Sequence, residues 1–136
     1  MAIKWTPKEK EINGSSNLHN KVREILCTDS SFKRTACYQE VPVKDLIPEY
    51  PYNHRYDWYL MTHGIIIELH GIQHYKAQGF GNIGYDEKMK NFISQKNRDN
   101  SKKESAIEAG FKYIEISYKE ENKLDAEYFK KLIFGE

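Results

Sequence analysis

Cysteine is scarce in this chain: Cys27 and Cys37 are its only thiols. Two thiols exclude a disulfide-built scaffold, and both are expected as ordinary buried or half-buried side chains in a reducing, cytoplasmic compartment. Long apolar runs are lacking as well. Nothing approaches the roughly 20 apolar residues of a membrane span, so no membrane partner is expected. Met1-Ala2-Ile3-Lys4-Trp5 lacks the apolar core of a signal peptide. Neither sign of charge is in excess. A net charge of +1 excludes a chain that is polybasic throughout and confines any basic surface to a local patch. The sequence also has no repeats and no low-complexity segment.

What is there is globular. Charged residues make up 30% and aromatics 13%, ten of them tyrosine, which is not the composition of a disordered chain. A length of 136 residues fits one domain, 1–136, with a modest core. Thr6-Pro7-Lys8-Glu9 has the form of a capping box with proline at the first helical position and predicts a short helix. Ser16 caps a second helix that carries Leu18, Val22, Ile25 and Leu26 on one face. Ala36 to Val43 is expected as an edge strand, with Tyr38 and Glu40 on one face and Cys37, Gln39 and Val41 on the other.

Two more strands are expected at about 55–61 and 64–70, turning at Thr62-His63-Gly64. Ile65-Ile66-Ile67 is apolar on both faces, so the second of them should be central. A glycine-rich loop runs from His70 to Gly84. A long helix follows from about Tyr85 to Ala109 and is ended by Gly110. Lys112 to Ser117 forms a strand, and Asp125 caps a final helix with Tyr128, Phe129, Leu132 and Ile133. The predicted class is α/β (α+β), a mixed sheet of about four strands flanked by helices.

The hairpin over 55–70 carries the chemistry. Its first strand delivers Asp57 and its second Glu68, and the short turn lets both carboxylates point at one spot. Two carboxylates at one spot can hold a divalent cation, and a held cation suggests hydrolysis. Solvated surface groups are the plain alternative, yet a carboxylate beside three isoleucines is costly unless something pairs with it. On the long helix, Met89, Phe92, Ile93 and Ile107 share a face with Lys96, Asn100 and Lys103, and Asp99 lies at its margin. Polar residues on an inward stripe face a polar cavity or an anion; otherwise the helix leaves the core after Ile93. Lys96, Arg98, Lys102 and Lys103 make a local basic region in either case, suited to backbone phosphates.

The pattern Asp57, ten residues, then Glu68-Leu69-His70 resembles the PD-(D/E)XK nuclease superfamily, with histidine where lysine is usual. Tyr56-Asp57-Trp58-Tyr59 and Ile67-Glu68-Leu69-His70-Gly71-Ile72-Gln73-His74-Tyr75 look closer to one branch, the very-short-patch repair endonucleases and EDxHD homing endonucleases. Small nuclease domains of phage genomes often belong to that branch. The resemblance covers roughly residues 16–118 and implies a restriction-endonuclease-like fold and a Mg2+-dependent DNA endonuclease or nickase, with Mn2+ as substitute. It implies Asp57, Glu68 and the Leu69 carbonyl as metal ligands and His70 as general base near neutral pH. Lys96, Asn100 and Lys103 would approach the scissile phosphate, Lys103 doubling as an alternative base, while Arg98 and Lys102 would hold DNA. His74 is either a second base or a loop residue, with Gln73 accessory beside it.

The acidic residue that this branch carries on its first helix aligns with His19, and Glu24 lies about 140° round that helix. Two departures, His70 for lysine and His19 for an acid, keep a second hypothesis open: a nucleic-acid-binding module that kept the fold without catalysis. A dimeric junction-resolving nuclease is a third, so monomer and homodimer both stand. Zinc held by His70, His74 and a cysteine is the remote option.

Overall fold

Local signals in the chain start and stop most elements of the computed structural model, which describes residues 4–71 and 85–135. Ser16 Oγ accepts the His19 N–H at 3.1 Å and opens helix α1 (Asn17–Thr28). Strand β2 (Cys37–Pro42) runs into one helical turn, α2 (Val43–Leu46). Strands β3 (Arg55–Leu60) and β4 (Ile65–His70) form the hairpin, and Gly64 takes the left-handed φ of +67° that its turn requires. Helix α3 (Tyr85–Glu108) is followed by Gly110 at φ +92° and strand β5 (Lys112–Ser117). A 3-10 segment, Tyr118–Lys123, held by a Ser117–Glu120 capping box, leads to α4 (Ala126–Phe134), whose N-cap Asp125 accepts the Tyr128 N–H.

The fold is α+β, built on one mixed, open five-stranded sheet that begins with β1 (Thr6–Pro7) and runs in the order β1-β2-β3-β4-β5. The fifth strand is β1, only Thr6–Pro7, antiparallel to β2. It replaces the helix expected from the capping signal. Tertiary contacts override that signal: Lys8 N–H donates to the Cys37 carbonyl at 3.0 Å, and the Lys8 ammonium turns inward onto the carbonyls of Phe32, Lys33 and Thr35. With β1 beside it, β2 is not an edge strand. The first three pairings are antiparallel and β4–β5 is parallel, which needs the long crossover containing α3.

A core lies on each face of the sheet. Helices α1 and α4 cover one, against Cys37, Trp58, Leu60, Ile65, Ile67 and Ile116. Helix α2, the loop after it and Ala106 of α3 cover the other, against Val41, Tyr56, Tyr59 and Ile66. Regular alternation would put Val41 with Cys37, and Tyr56 with Trp58. Both pairs are divided between the two cores. The break in β2 falls at Glu40, whose φ of +53° is left-handed; the break in β3 falls at Asp57. Glu40 and Asp57 lie opposite one another between the pairs Gln39↔Trp58 and Val41↔Tyr56, and the ladder skips them. The sheet therefore changes sides along a line through these two acids.

Helix α3 also sits differently from the expectation. Ile93 and Ile107 are 51% and 55% exposed, whereas Asp99, Lys102 and Ala106 are buried. The inward stripe is thus turned by about one residue, and it is polar where it crosses the end of β3 and β4.

Candidate functional site

The β3–β4 ladder stops at Trp58↔Ile67. One step further, Asp57 and Glu68 face each other, and their side chains replace the missing backbone bonds. Glu68 Oε1 accepts the Asp57 N–H at 2.9 Å, and Asp57 Oδ2 accepts the Leu69 N–H at 2.8 Å. Each carboxylate thus fixes the other's strand. The splayed strands open a cleft of about 370 Å³ lined by Asn53, His54, Arg55, Asp57, Glu68 and Leu69, and closed by Gln95, Arg98, Asp99 and Lys102 of α3.

Glu68 is 2% exposed, and its second oxygen lies 2.6 Å from Lys102 Nζ. Lys102 is 8% exposed and also donates to the Arg55 carbonyl at 2.9 Å, while its own carbonyl accepts from Tyr56 Oη at 2.8 Å. This lysine pins α3 to both splayed strands. Burial pushes the Glu68 carboxyl well above the ordinary carboxylate range, and the Asp57 charge adds to the push; the Lys102 ammonium and the Asp57 N–H oppose it. His54, at the rim, is lowered by burial and by the Lys102 and Arg98 charges.

The candidate ligands fall into two adjoining groups among the described residues. Donor atoms of Glu68, His70 and Asp99 lie within 4.8 Å of one another, as do those of His19, Glu40 and Asp57. Asp57 and Glu68 share the cleft but belong to different groups of three. His70 is buried, with Nδ1 3.2 Å from Glu115 Oε2, and Lys103 Nζ meets the other oxygen of Glu115 at 3.1 Å. His70 and Lys103 do not line the cleft.

Of the expected phosphate-contacting residues, Arg98 lines the cleft and is exposed, whereas Lys102 is spent on Glu68. Lys96 lies 5.6 Å over the Phe92 ring, and Asn100 is exposed. Gln73 and His74 lie outside the described residues. No group of three candidate ligands among the described residues contains a cysteine, and Cys27 and Cys37 are both free thiols. Sequence reasoning passed over Glu40 and Arg55. Glu40 had a signal, an acid in mid-strand opposite Asp57, but its left-handed φ had none. No helix among the described residues is long and apolar enough to cross a membrane.

No family model, curated protein or solved structure matches this chain. Each of the two adjoining ligand groups offers two carboxylates and one imidazole, a set that suits a hard or borderline divalent cation and not a soft, thiolate-seeking one.

Proposed function

We propose that the chain is a metal-dependent endonuclease or nickase that hydrolyses phosphodiester bonds in DNA. The observation that carries the reading is the unzipped end of the β3–β4 hairpin, where Asp57, Glu68 and Lys102 meet in one cleft beside Arg55 and Arg98. Asp57 and Glu68 would hold a divalent cation, Mg2+ or Mn2+, which when bound neutralises phosphate charge and lowers the pKa of a bound water. Arg98 and Arg55, which line the cleft, would bind the phosphate backbone. Lys102 supplies an ammonium at Glu68, the kind of group that the PD-(D/E)XK nucleases usually carry two residues after the glutamate, where this chain has His70. His70, two residues along β4 from Glu68, is tied to Glu115 through Nδ1.

Supercoiled plasmid incubated with Mg2+, Mn2+ or chelator tests this. Cleavage with either ion and none with chelator is expected. Asp57→Asn and Glu68→Gln should abolish most of it while circular dichroism stays that of the parent. Intact plasmid under all conditions, or parental cleavage by Asp57→Asn, would refute the reading.

One observation favours a second reading, a nucleic-acid-binding module without catalysis. Glu68 already has Lys102 at 2.6 Å, so a cation at Glu68 would have to displace or share that ammonium. DNA binding without cleavage, unchanged by Asp57→Asn, is the outcome that this alternative expects.

A further inference from the structure

The group formed by His19, Glu40 and Asp57 lies across the line where the sheet changes sides, one residue each from α1, β2 and β3. Its histidine is set up in an unusual way. His19 is 5% exposed and its ring stacks on Trp58 at 5.0 Å. Nε2 lies 2.8 Å from Gln39 Oε1. Gln39 cannot turn its amide round, because Nε2 of that side chain donates to the carbonyls of Pro7 (2.8 Å) and Lys10 (2.7 Å). Gln39 Oε1 must therefore accept, so the hydrogen sits on His19 Nε2 and the lone pair of the neutral ring sits on Nδ1. Nδ1 has no hydrogen-bond partner among the described residues. A buried imidazole with one N–H locked by an amide carbonyl and the other nitrogen left as a donor of electrons is how proteins hold metal-binding histidines.

The two acids add to this. Asp57 Oδ2 takes the Leu69 N–H, which leaves Oδ1. Glu40 is half-buried, faces Asp57 across the skipped rung, and has no ion pair or hydrogen bond to its carboxylate among the described residues. Two carboxylates brought together at such a spot repel unless a cation lies between them.

We propose that His19 Nδ1, Glu40 and Asp57 form a binding site for a divalent first-row transition ion, and that the imidazole donor makes it prefer such an ion to Mg2+. Mg2+ keeps to oxygen ligands in strict octahedral geometry, whereas imidazole raises affinity for transition ions. The site shares Asp57 with the nuclease reading, but occupancy does not depend on cleavage.

Mn2+ is the probe. Electron paramagnetic resonance of the full chain titrated with Mn2+ gives the affinity, and spin-echo modulation from 14N shows whether an imidazole is bound. The expected result is a Mn2+ site with 14N modulation, from which Mg2+ displaces the ion only in large excess. His19→Asn should lose the modulation and weaken Mn2+ at least as much as the about 10–100-fold typical of losing a group that only orients a ligand. Glu40→Gln, at a half-buried position that tolerates an isosteric amide, should weaken Mn2+ similarly and keep the modulation. His70→Asn should change neither. Four results overturn the proposal: no Mn2+ binding at millimolar concentration, binding without 14N modulation, parental affinity in Glu40→Gln, or modulation lost only in His70→Asn. Plasmid that stays intact while these spectra appear as expected would remove the nuclease reading and leave this site standing.

Discussion

Lys102 is the residue on which the cleft turns. Burial pushes the folded Glu68 carboxyl up to about 8, so the pair is fully charged only above that pH; there, removing one partner leaves an uncompensated buried charge, and Lys102→Met is expected to cost about 3–5 kcal/mol in urea denaturation at about pH 9. The double variant Glu68→Gln/Lys102→Met removes both charges and should recover most of that loss, since a neutral pair of similar volume is often no less stable. A double variant as unstable as Lys102→Met alone would show that the lysine acts through packing instead. Glu68 also predicts a pH dependence. Its folded pKa is raised above the ordinary 4.5, so between that value and the raised one the folded state keeps a proton that the unfolded chain releases. The stability it contributes is complete below pH 4.5 and is lost as pH rises through the folded value. Glu40 is shifted in the same direction, chiefly by burial, so the informative measurement is the difference between parent and Glu68→Gln. The variant should show a shallower decline in urea midpoint between about pH 5 and 9. Glu40→Gly should raise the melting temperature of the metal-free protein, because only glycine adopts a φ of +53° without strain. A lower melting temperature would mean that the Glu40 side chain stabilises the fold by more than its backbone strain costs.

Among the elements, α3 is the one whose boundaries were legible and whose orientation was not. Tyr85 and Gly110 marked its ends correctly, but its apolar residues pointed to the wrong face. Ile93 and Ile107 stand in solvent, while Asp99 and Lys102 are buried because they close a polar cleft. Apolar periodicity finds a buried face only where the neighbour is itself apolar, and at the splayed strands it is not. The orientation is testable. Ile93→Lys and Ile107→Glu should each change stability by less than about 0.5 kcal/mol, as exposed substitutions do. Ala106→Leu, at a fully buried position, should cost roughly 1–3 kcal/mol through overpacking. The strands tell a similar story. The limits of β3, β4 and β5 fall within a residue of those read from turn signals and β-branched runs. The side switch at Glu40 and Asp57 was beyond such reading, because period-two alternation assumes a flat, unbroken ladder.

For the whole molecule, a net charge of +1 excludes a polybasic surface throughout, so the proposed DNA binding calls for a local patch, for which the arginines of the cleft are the candidates. Binding should weaken as salt rises, with a shallow slope set by a few phosphate contacts at about 0.9 per contact. Arg98→Ala should reduce that slope by about one, and His70→Ala should leave it alone; fluorescence anisotropy of labelled duplex DNA across a salt series measures both. An unchanged slope in Arg98→Ala would place the DNA elsewhere on the surface. The mixed sheet with helices on both faces and the pairing of Asp57 with Glu68 at one hairpin end were legible from spacing alone. Lys102 as the cation at Glu68 was not, since the two are brought together only by the docking of α3 on the sheet.

The exchange of side-chain acceptors at the end of the hairpin has one more consequence. The amide hydrogens of Asp57 and Leu69 rest on carboxylates where a ladder would have given them carbonyls. Their nitrogen and proton resonances are therefore tied to the ionisation of acids rather than to the pairing of strands. Two backbone signals, needing no label beyond 15N, would separate the two acids: the Asp57 amide would report when Glu68 gains a proton or shares its charge, and the Leu69 amide would report when the Asp57 carboxylate takes up a cation.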